Sequence, residues 1–235
     1  MMEKIDRLNA KLDQLAEKDT GFTIFGASKH RYLLARVKKE EDLHSFELKY
    51  NIHLPEGYRD FLKQLGNGGA GPYYGLEPLE HGIYGSLDYQ DKHDVIDPSG
   101  DFMFTEAWNM NITDVNGEAD TEKEDMYFDN KWVNGSLRIC NFGCGVSINL
   151  VVKGKEYGNI WVDDRSSDYG IHPDHYFGNE ERLDFLTWYE LWLDKSLLEI
   201  QTKTMTMNTP ISSPISTVGN PPEKKRSWWK RIFER

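Results

Sequence analysis

The sequence has few cysteines, no long apolar run and no N-terminal segment that resembles a signal peptide. Cys140 and Cys144 are its two cysteines among 235 residues, which is too few for a disulfide framework. No segment approaches the ~18 consecutive apolar residues that a membrane-spanning helix requires. We therefore expect a soluble cytoplasmic protein whose cysteines are reduced.

Basic residues are also scarce relative to acidic ones. The chain has 28 Lys and Arg against 39 Asp and Glu, so its formal net charge is −11. A phosphate backbone repels an acidic surface, which argues against nucleic-acid binding. The composition favours a basic or neutral partner.

Motifs for nucleotide binding and catalysis are missing. Residues 66–71 fit the pattern GxGxxG, but they follow a predicted helix and run into Pro72. A dinucleotide site needs this pattern after a strand and at the start of a helix, so we interpret the glycines as a helix end and a turn. The sequence also lacks a nucleophile elbow, an H-E-x-x-H motif and a Walker loop. We expect neither an enzyme nor a cofactor.

Two further groups of residues give little support for a metal site or for catalysis. Cys140 and Cys144, with His172 and His175, do not have the paired short spacing of a structural zinc site, so no metal is predicted and the HPDH segment is interpreted as a polar loop. Asp163 and Asp164, together with His172, define a remote hydrolase hypothesis. Adjacent carboxylates do not by themselves create the two different environments that acid/base catalysis needs.

Periodic apolar residues predict several helices. Residues 1–20 form an amphipathic helix that is either a dimerising arm or, as we favour, a helix packed on its own domain. Further helices are predicted over 39–50, from Pro55 to the glycines at 66–71, and over 181–200.

Short apolar runs predict strands over 137–140, 146–152 and 159–162. The turns between them are short, so the strands should form an antiparallel meander. The aromatic face of the 181–200 helix is expected to cover this sheet, and Trp161 is expected to belong to the core.

The C-terminal residues differ from the rest in composition. Residues 201–222 are rich in Ser, Thr and Pro and predict a flexible linker. Residues 221–235 carry six basic and two acidic side chains. A helix over the tail 223–235 would present a membrane or anionic-partner contact made of Trp228, Trp229, Lys230, Arg231 and Phe233. The alternatives are a tail without a role or one that folds back on the acidic body.

Several motifs occur in an order that resembles the SUKH superfamily, in its Smi/Knr branch. They are LPEGYRDFL and GNGGAGPYYGL within 54–76, AWN at 107–109, the block GSLRICNFGCGVSINLVVKGKEYGNIWVDD at 135–164, and DFLTWYELWLDKSL at 184–197. The resemblance covers about residues 25–198. It does not cover the first helix, the tail or the acidic stretch 111–134.

The resemblance implies a single α+β domain over 21–200, in which a mostly antiparallel sheet is flanked by helices. It also implies a non-enzymatic immunity protein of a polymorphic toxin system, which binds and neutralises a cognate bacterial toxin, commonly a nuclease. Other members of the superfamily are regulatory scaffolds. A membrane-surface or regulatory adaptor, tethered through the basic tail, is the alternative function.

A basic toxin would be attracted by the acidic body, and aromatic residues would supply the strongest contacts. The partner-binding residues we predict, all placed in exposed loops, are Tyr73, Tyr74, Glu77, Trp108, Asp163, Asp164 and Arg165. For Tyr74 a position in the core is the alternative.

Overall fold

The computed structural model describes residues 2–87, 91–113 and 120–208. Within these ranges the chain has the predicted α+β fold, with six helices and one four-stranded antiparallel sheet. The helices are α1 (Met2–Lys18), α2 (Ala27–His30), α3 (Glu40–Tyr50), α4 (Glu56–Gln64), α5 (Thr121–Phe128) and α6 (Phe185–Asn208). The strands are β1 (Ser136–Gly143), β2 (Val146–Val151), β3 (Ile160–Asp164) and β4 (Gly170–Pro173).

The sheet is a meander in the order β1-β2-β3-β4, with every neighbouring pair antiparallel. This confirms the meander predicted for the first three strands. The fourth strand contains His172, so the interpretation of the whole HPDH segment as a loop was wrong. β4 is only four residues long and has no apolar alternation of its own; its pairing with β3 defines it as a strand.

Single bridges extend the sheet beyond both edge strands. Leu76 pairs with Cys140 of β1, Gly69 pairs with Leu76, and Trp108 pairs with Ile171 of β4. Gly69 has a φ of +102°, and a Cβ atom there would lie 2.3 Å from the carbonyl oxygen of Leu33. The glycine loop is thus backbone packed against backbone, which only glycine permits.

One face of the sheet packs against the helices. Side chains alternate along each strand, so Val146, Ile148 and Leu150 of β2 point into the main core. The apolar residues of α1 are buried there, which confirms that this helix packs on its own domain; they are Ile5, Leu8, Leu12 and Leu15.

Helix α6 crosses this core, and both α1 and α4 pack on it. The ring centroids of Phe61 and Tyr189 are 4.8 Å apart. Burial of each such side chain stabilises the fold by roughly 1.5–3 kcal/mol. No helix within the described residues is long and apolar enough to cross a membrane.

Both ends of α6 differ from the prediction. It begins at Phe185 rather than residue 181, because Leu183 accepts a hydrogen bond from Ile160 and Asp184 caps the helix by accepting from the amide of Thr187 at 2.8 Å. It continues to Asn208, so residues 201–208 are helical instead of linker. The remaining linker and the tail, including Trp228, Trp229, Lys230, Arg231 and Phe233, lie outside the described residues. The membrane-contact hypothesis stays a prediction.

Candidate partner-binding surface

The second face of the sheet carries a smaller core. Trp161 of β3 and Ile171 of β4 pack there against Phe102, Phe104 and Val133. Trp161 is fully buried, as predicted. The segment 94–113, α5 and a 3-10 turn at Asn130–Val133 cover this face. On this face, the segment 94–113 and helix α5, which are distant from β4 in the sequence, therefore lie close to it.

Trp108 and Trp132 pack on the outside of this smaller core, and the exposed Met126 and Phe128 flank Tyr127 of α5, whose ring centroid lies 5.7 Å from that of Trp108. We call the four residues Trp108, Met126, Phe128 and Trp132 the α5 patch. The ring centroids of Trp108 and Trp132 are 4.6 Å apart, and the indole nitrogen of Trp132 donates to the carbonyl of Met126 at 2.7 Å. Met126 is 48% exposed and Phe128 is 46% exposed. Aromatic and Met side chains that are exposed near one another are typical of protein-binding surfaces.

The segment that carries most of the α5 patch is acidic. Residues 120–131 contain five acidic and two basic side chains. Helix α5 is capped by Asp120, whose carboxylate accepts from the amide of Lys123 at 3.3 Å. Glu122 and Asp125 are exposed on this helix. An apolar centre with an acidic surround is complementary to a basic partner.

Arg165, which is buried under the α5 patch, fixes the position of this surface. Its Nε and Nη2 atoms donate to the two carboxylate oxygens of Asp163 at 2.7 and 2.8 Å. Its Nη1 atom donates to the carbonyls of Tyr127 and Asp129 at 2.6 and 3.0 Å, at the end of α5. One guanidinium group therefore joins β3 to the backbone that carries the α5 patch.

Asp163 is paired a second time inside the sheet. Its Oδ2 atom lies 3.1 Å from Nη2 of Arg138, which is on β1. Burial alone would raise the pKa of Asp163, but the hydrogen bonds from Arg165 and the charge of Arg138 outweigh it, and the pKa lies below its ordinary value. The carboxylate stays charged and anchors both arginines.

Four of the predicted partner-binding residues are buried, so their assignment to exposed loops was wrong. Asp163 and Arg165 form the ion pair just described. Oδ2 of Asp164 accepts from the hydroxyl of Tyr176 at 2.6 Å. Tyr73 is 5% exposed, and its ring lies 4.3 Å from that of Phe142. These side chains are directed inward by strand pairing and by the turn at Tyr73, where φ is +54°. A local sequence pattern predicts neither the pairing nor this turn.

The other three predicted residues are accessible at two different places. Trp108 is half-buried in the α5 patch. Tyr74 is 36% exposed near Gly143; its ring packs 5.2 Å from that of Phe25, and the ammonium of Lys29 lies 5.5 Å from it. The half-buried Glu77 follows on the same segment. Tyr74 is therefore not a core residue.

Sequence reasoning missed Met126, Phe128 and Trp132. They lie in the stretch 111–134, which showed no recognisable motif. One local signal was present, because Asp120 before an acidic first turn is a typical helix start. It would have predicted α5 but not the contact between α5 and Trp108, which depends on the fold.

The residues of the hydrolase hypothesis are engaged in structural contacts. Both oxygens of Asp163 accept hydrogen bonds from Arg165, and Asp164 is bonded to Tyr176. Cys140 is buried and its thiol lies 3.1 Å from the carbonyl of Pro72, whereas Cys144 is exposed. No group of three or more His, Cys, Asp or Glu side chains that could hold a metal occurs in the part of the chain described.

The fold and this surface define an α+β domain with an aromatic, acid-bordered face suited to binding another protein. The chain belongs to the SMI1/KNR4 family (SUKH-1), whose profile matches residues 39–180. This family includes toxin immunity proteins. The match contains α3 to β4 and the whole α5 patch; α1 and α6 lie outside it. No curated protein and no solved structure matches the chain.

Proposed function

We propose that this chain is a non-enzymatic immunity protein that binds and neutralises a basic bacterial toxin, such as a nuclease, through the α5 patch. Family membership supports an immunity role, because the family includes such proteins. The observation that carries the choice of surface is that the exposed Met126 and Phe128 flank Tyr127, whose ring lies beside that of Trp108, which in turn packs on Trp132.

The chemistry of the patch suits rapid and tight inhibition. Binding hot spots are enriched in Trp, Tyr and Arg near the centre of an interface, and charges at the rim mainly raise the association rate. Nuclease toxins need basic surfaces to hold nucleic acid. An acidic segment such as 120–131 would compete for that surface, and the net charge of −11 adds long-range attraction.

The predicted site residues take two roles in this proposal. Trp108 contacts the toxin directly, and Tyr74 with Glu77 forms a second contact region. Asp163 and Arg165 position α5, while Tyr73 and Asp164 support the loop and strand ends beneath the surface.

The immunity function predicts that a neighbouring gene encodes a protein with a toxic domain, and the test is co-expression with that domain. We expect growth rescue and a complex that co-purifies. Phe128→Ala and Met126→Ala should each weaken binding by about 2 kcal/mol, or about thirtyfold, if they are hot spots. Both side chains are about half exposed, so their truncation should leave the fold intact.

Tyr157→Ala is the matched control, because Tyr157 is also 46% exposed and lies outside the α5 patch. The control should bind as the natural chain does. Absence of both rescue and complex would contradict the immunity function. Equal effects of Phe128→Ala and Tyr157→Ala would contradict the choice of surface.

A further inference from the structure

A second surface with different chemistry lies between α3 and the segment that follows the glycine loop. It is a groove with a volume of about 550 Å³, within the ~300–1,000 Å³ of typical ligand sites. One wall is a face of α3 on which Asp42, Phe46 and Lys49 lie about one helical turn apart. The other wall contains Tyr84 and Val95, which are joined by an antiparallel bridge. The first wall is therefore helical, and the bridge fixes the second wall at one position.

The floor of this groove is apolar. Phe46 is 8% exposed, and its ring centroid lies 4.7 Å from that of Tyr50. Ile83 packs against the main core, while Val95 is 42% exposed. An apolar side chain placed here would bury surface on several sides.

The edges of the groove carry positive charge. Lys38, Lys49 and Lys92 line it, together with the acids Asp42 and Glu80. Both acids already have donors: Asp42 accepts from the amide of Lys39, and Glu80 accepts from Lys38 and from Asn67. Lys49 and Lys92 are exposed, and the ammonium of Lys49 lies 4.8 Å from the ring centroid of Tyr50. With three lysines and two acids the lining has a net charge of +1, and because Lys38 is paired with Glu80, the exposed ammonium groups of Lys49 and Lys92 supply the positive charge that an incoming ligand meets.

The net negative charge of the chain does not prevent an acidic ligand from binding here. The Debye length is about 8 Å at physiological ionic strength. Salt therefore screens the repulsion between the ligand and exposed acids elsewhere on the domain, whereas the lysines of the groove would contact the ligand directly. Lysine beside an apolar floor recognises a segment that carries both carboxylates and an apolar side chain.

We propose that this groove binds an acidic peptide segment of a second protein, with carboxylates on Lys49 and Lys92 and an apolar side chain over Phe46. The groove shares no residue with the α5 patch and takes a ligand of opposite charge. The proposal therefore does not depend on the immunity function.

The experiment uses the full chain and two probes, a random copolymer of glutamate and tyrosine and polyglutamate of the same length. Binding is measured by isothermal titration at physiological salt. We expect the copolymer to bind more tightly than polyglutamate, because only the copolymer can fill the apolar floor. Lys49→Glu combined with Lys92→Glu should weaken copolymer binding about tenfold or more.

The matched control is Lys155→Glu combined with Lys195→Glu, which makes the same change in net charge at two exposed positions away from the groove. It should leave binding within about twofold of the natural chain. Because Lys49 lies in the last turn of α3, where a carboxylate opposes the helix dipole, Lys49→Gln with Lys92→Gln is a second variant and should also lose affinity. Failure of the copolymer to bind, equal loss in both charge-reversal pairs, or no preference for the copolymer over polyglutamate would each overturn the proposal.

Discussion

Replacing Arg165 with Met should destabilise the whole domain and loosen α5 in particular. Arg165 is 3% exposed and donates to Asp163 twice and to the carbonyls of Tyr127 and Asp129. Met keeps an unbranched apolar stem but has no donor, so the carbonyls of Tyr127 and Asp129 lose this partner and Asp163 keeps only Arg138. Removal of one member of a buried ion pair costs about 3–5 kcal/mol.

This cost predicts a fall in Tm of about 6–20 °C, since a domain of this size loses about 2–4 °C for each kcal/mol. Thermal unfolding followed by near-ultraviolet circular dichroism measures it. Hydrogen exchange should show faster exchange in α5 than in α1, because Arg165 bonds to the end of α5.

Arg7→Met is the matched control. Arg7 also forms a bidentate pair, with Glu190, but its side chain is 51% exposed, so solvent screens the interaction. An equal fall in Tm for Arg7→Met and Arg165→Met would refute the reasoning, as would unchanged exchange in α5.

Three other predictions concern the core and titratable groups. Leu8→Ala should cost about 2–5 kcal/mol in urea unfolding because Leu8 is fully buried, whereas Leu198→Ala, at a position that is 62% exposed, should cost far less. An aromatic disulfide reagent should label exposed Cys144 rapidly and Cys140 only after unfolding, because burial raises the pKa of the Cys140 thiol; the fast phase should vanish in Cys144→Ser. Burial lowers the pKa of His30 to about 4, so the unfolded chain binds a proton that the folded chain does not between about pH 6.5 and 4. Stability should fall as pH falls through this window, and a pH titration of Tm in His30→Gln should show a smaller slope.

Much of the fold could be predicted because its signals are local. The stripe Ile5, Leu8, Leu12 and Leu15 predicted α1 and the face that it buries. The sheet was predicted less completely: β4 was missed because its four residues become a strand only by pairing with β3.

The candidate site was less predictable. Trp108 was selected from its sequence context and does lie in the α5 patch, but its contacts with Trp132 and Tyr127 join residues 19 to 24 positions away. Asp163 and Arg165 were selected as exposed charges. Strand alternation points Asp163 to the second face, and Arg165, just after the end of β3, is buried there by its bonds to Asp163 and to the end of α5.

The sequence by itself determined the acidic character of this chain, the core-facing side of its first helix, the first three strands and its family blocks. These properties depend on composition and on spacings of a few residues, which periodicity and motifs report directly. The tertiary structure alone decided that Arg165 is buried and bonded to the end of α5, and that Tyr127, between the exposed Met126 and Phe128, packs beside Trp108. It also decided that lysines border an apolar groove on an acidic protein. Each of these depends on which distant segments pack together, and that is set by burial of the whole chain.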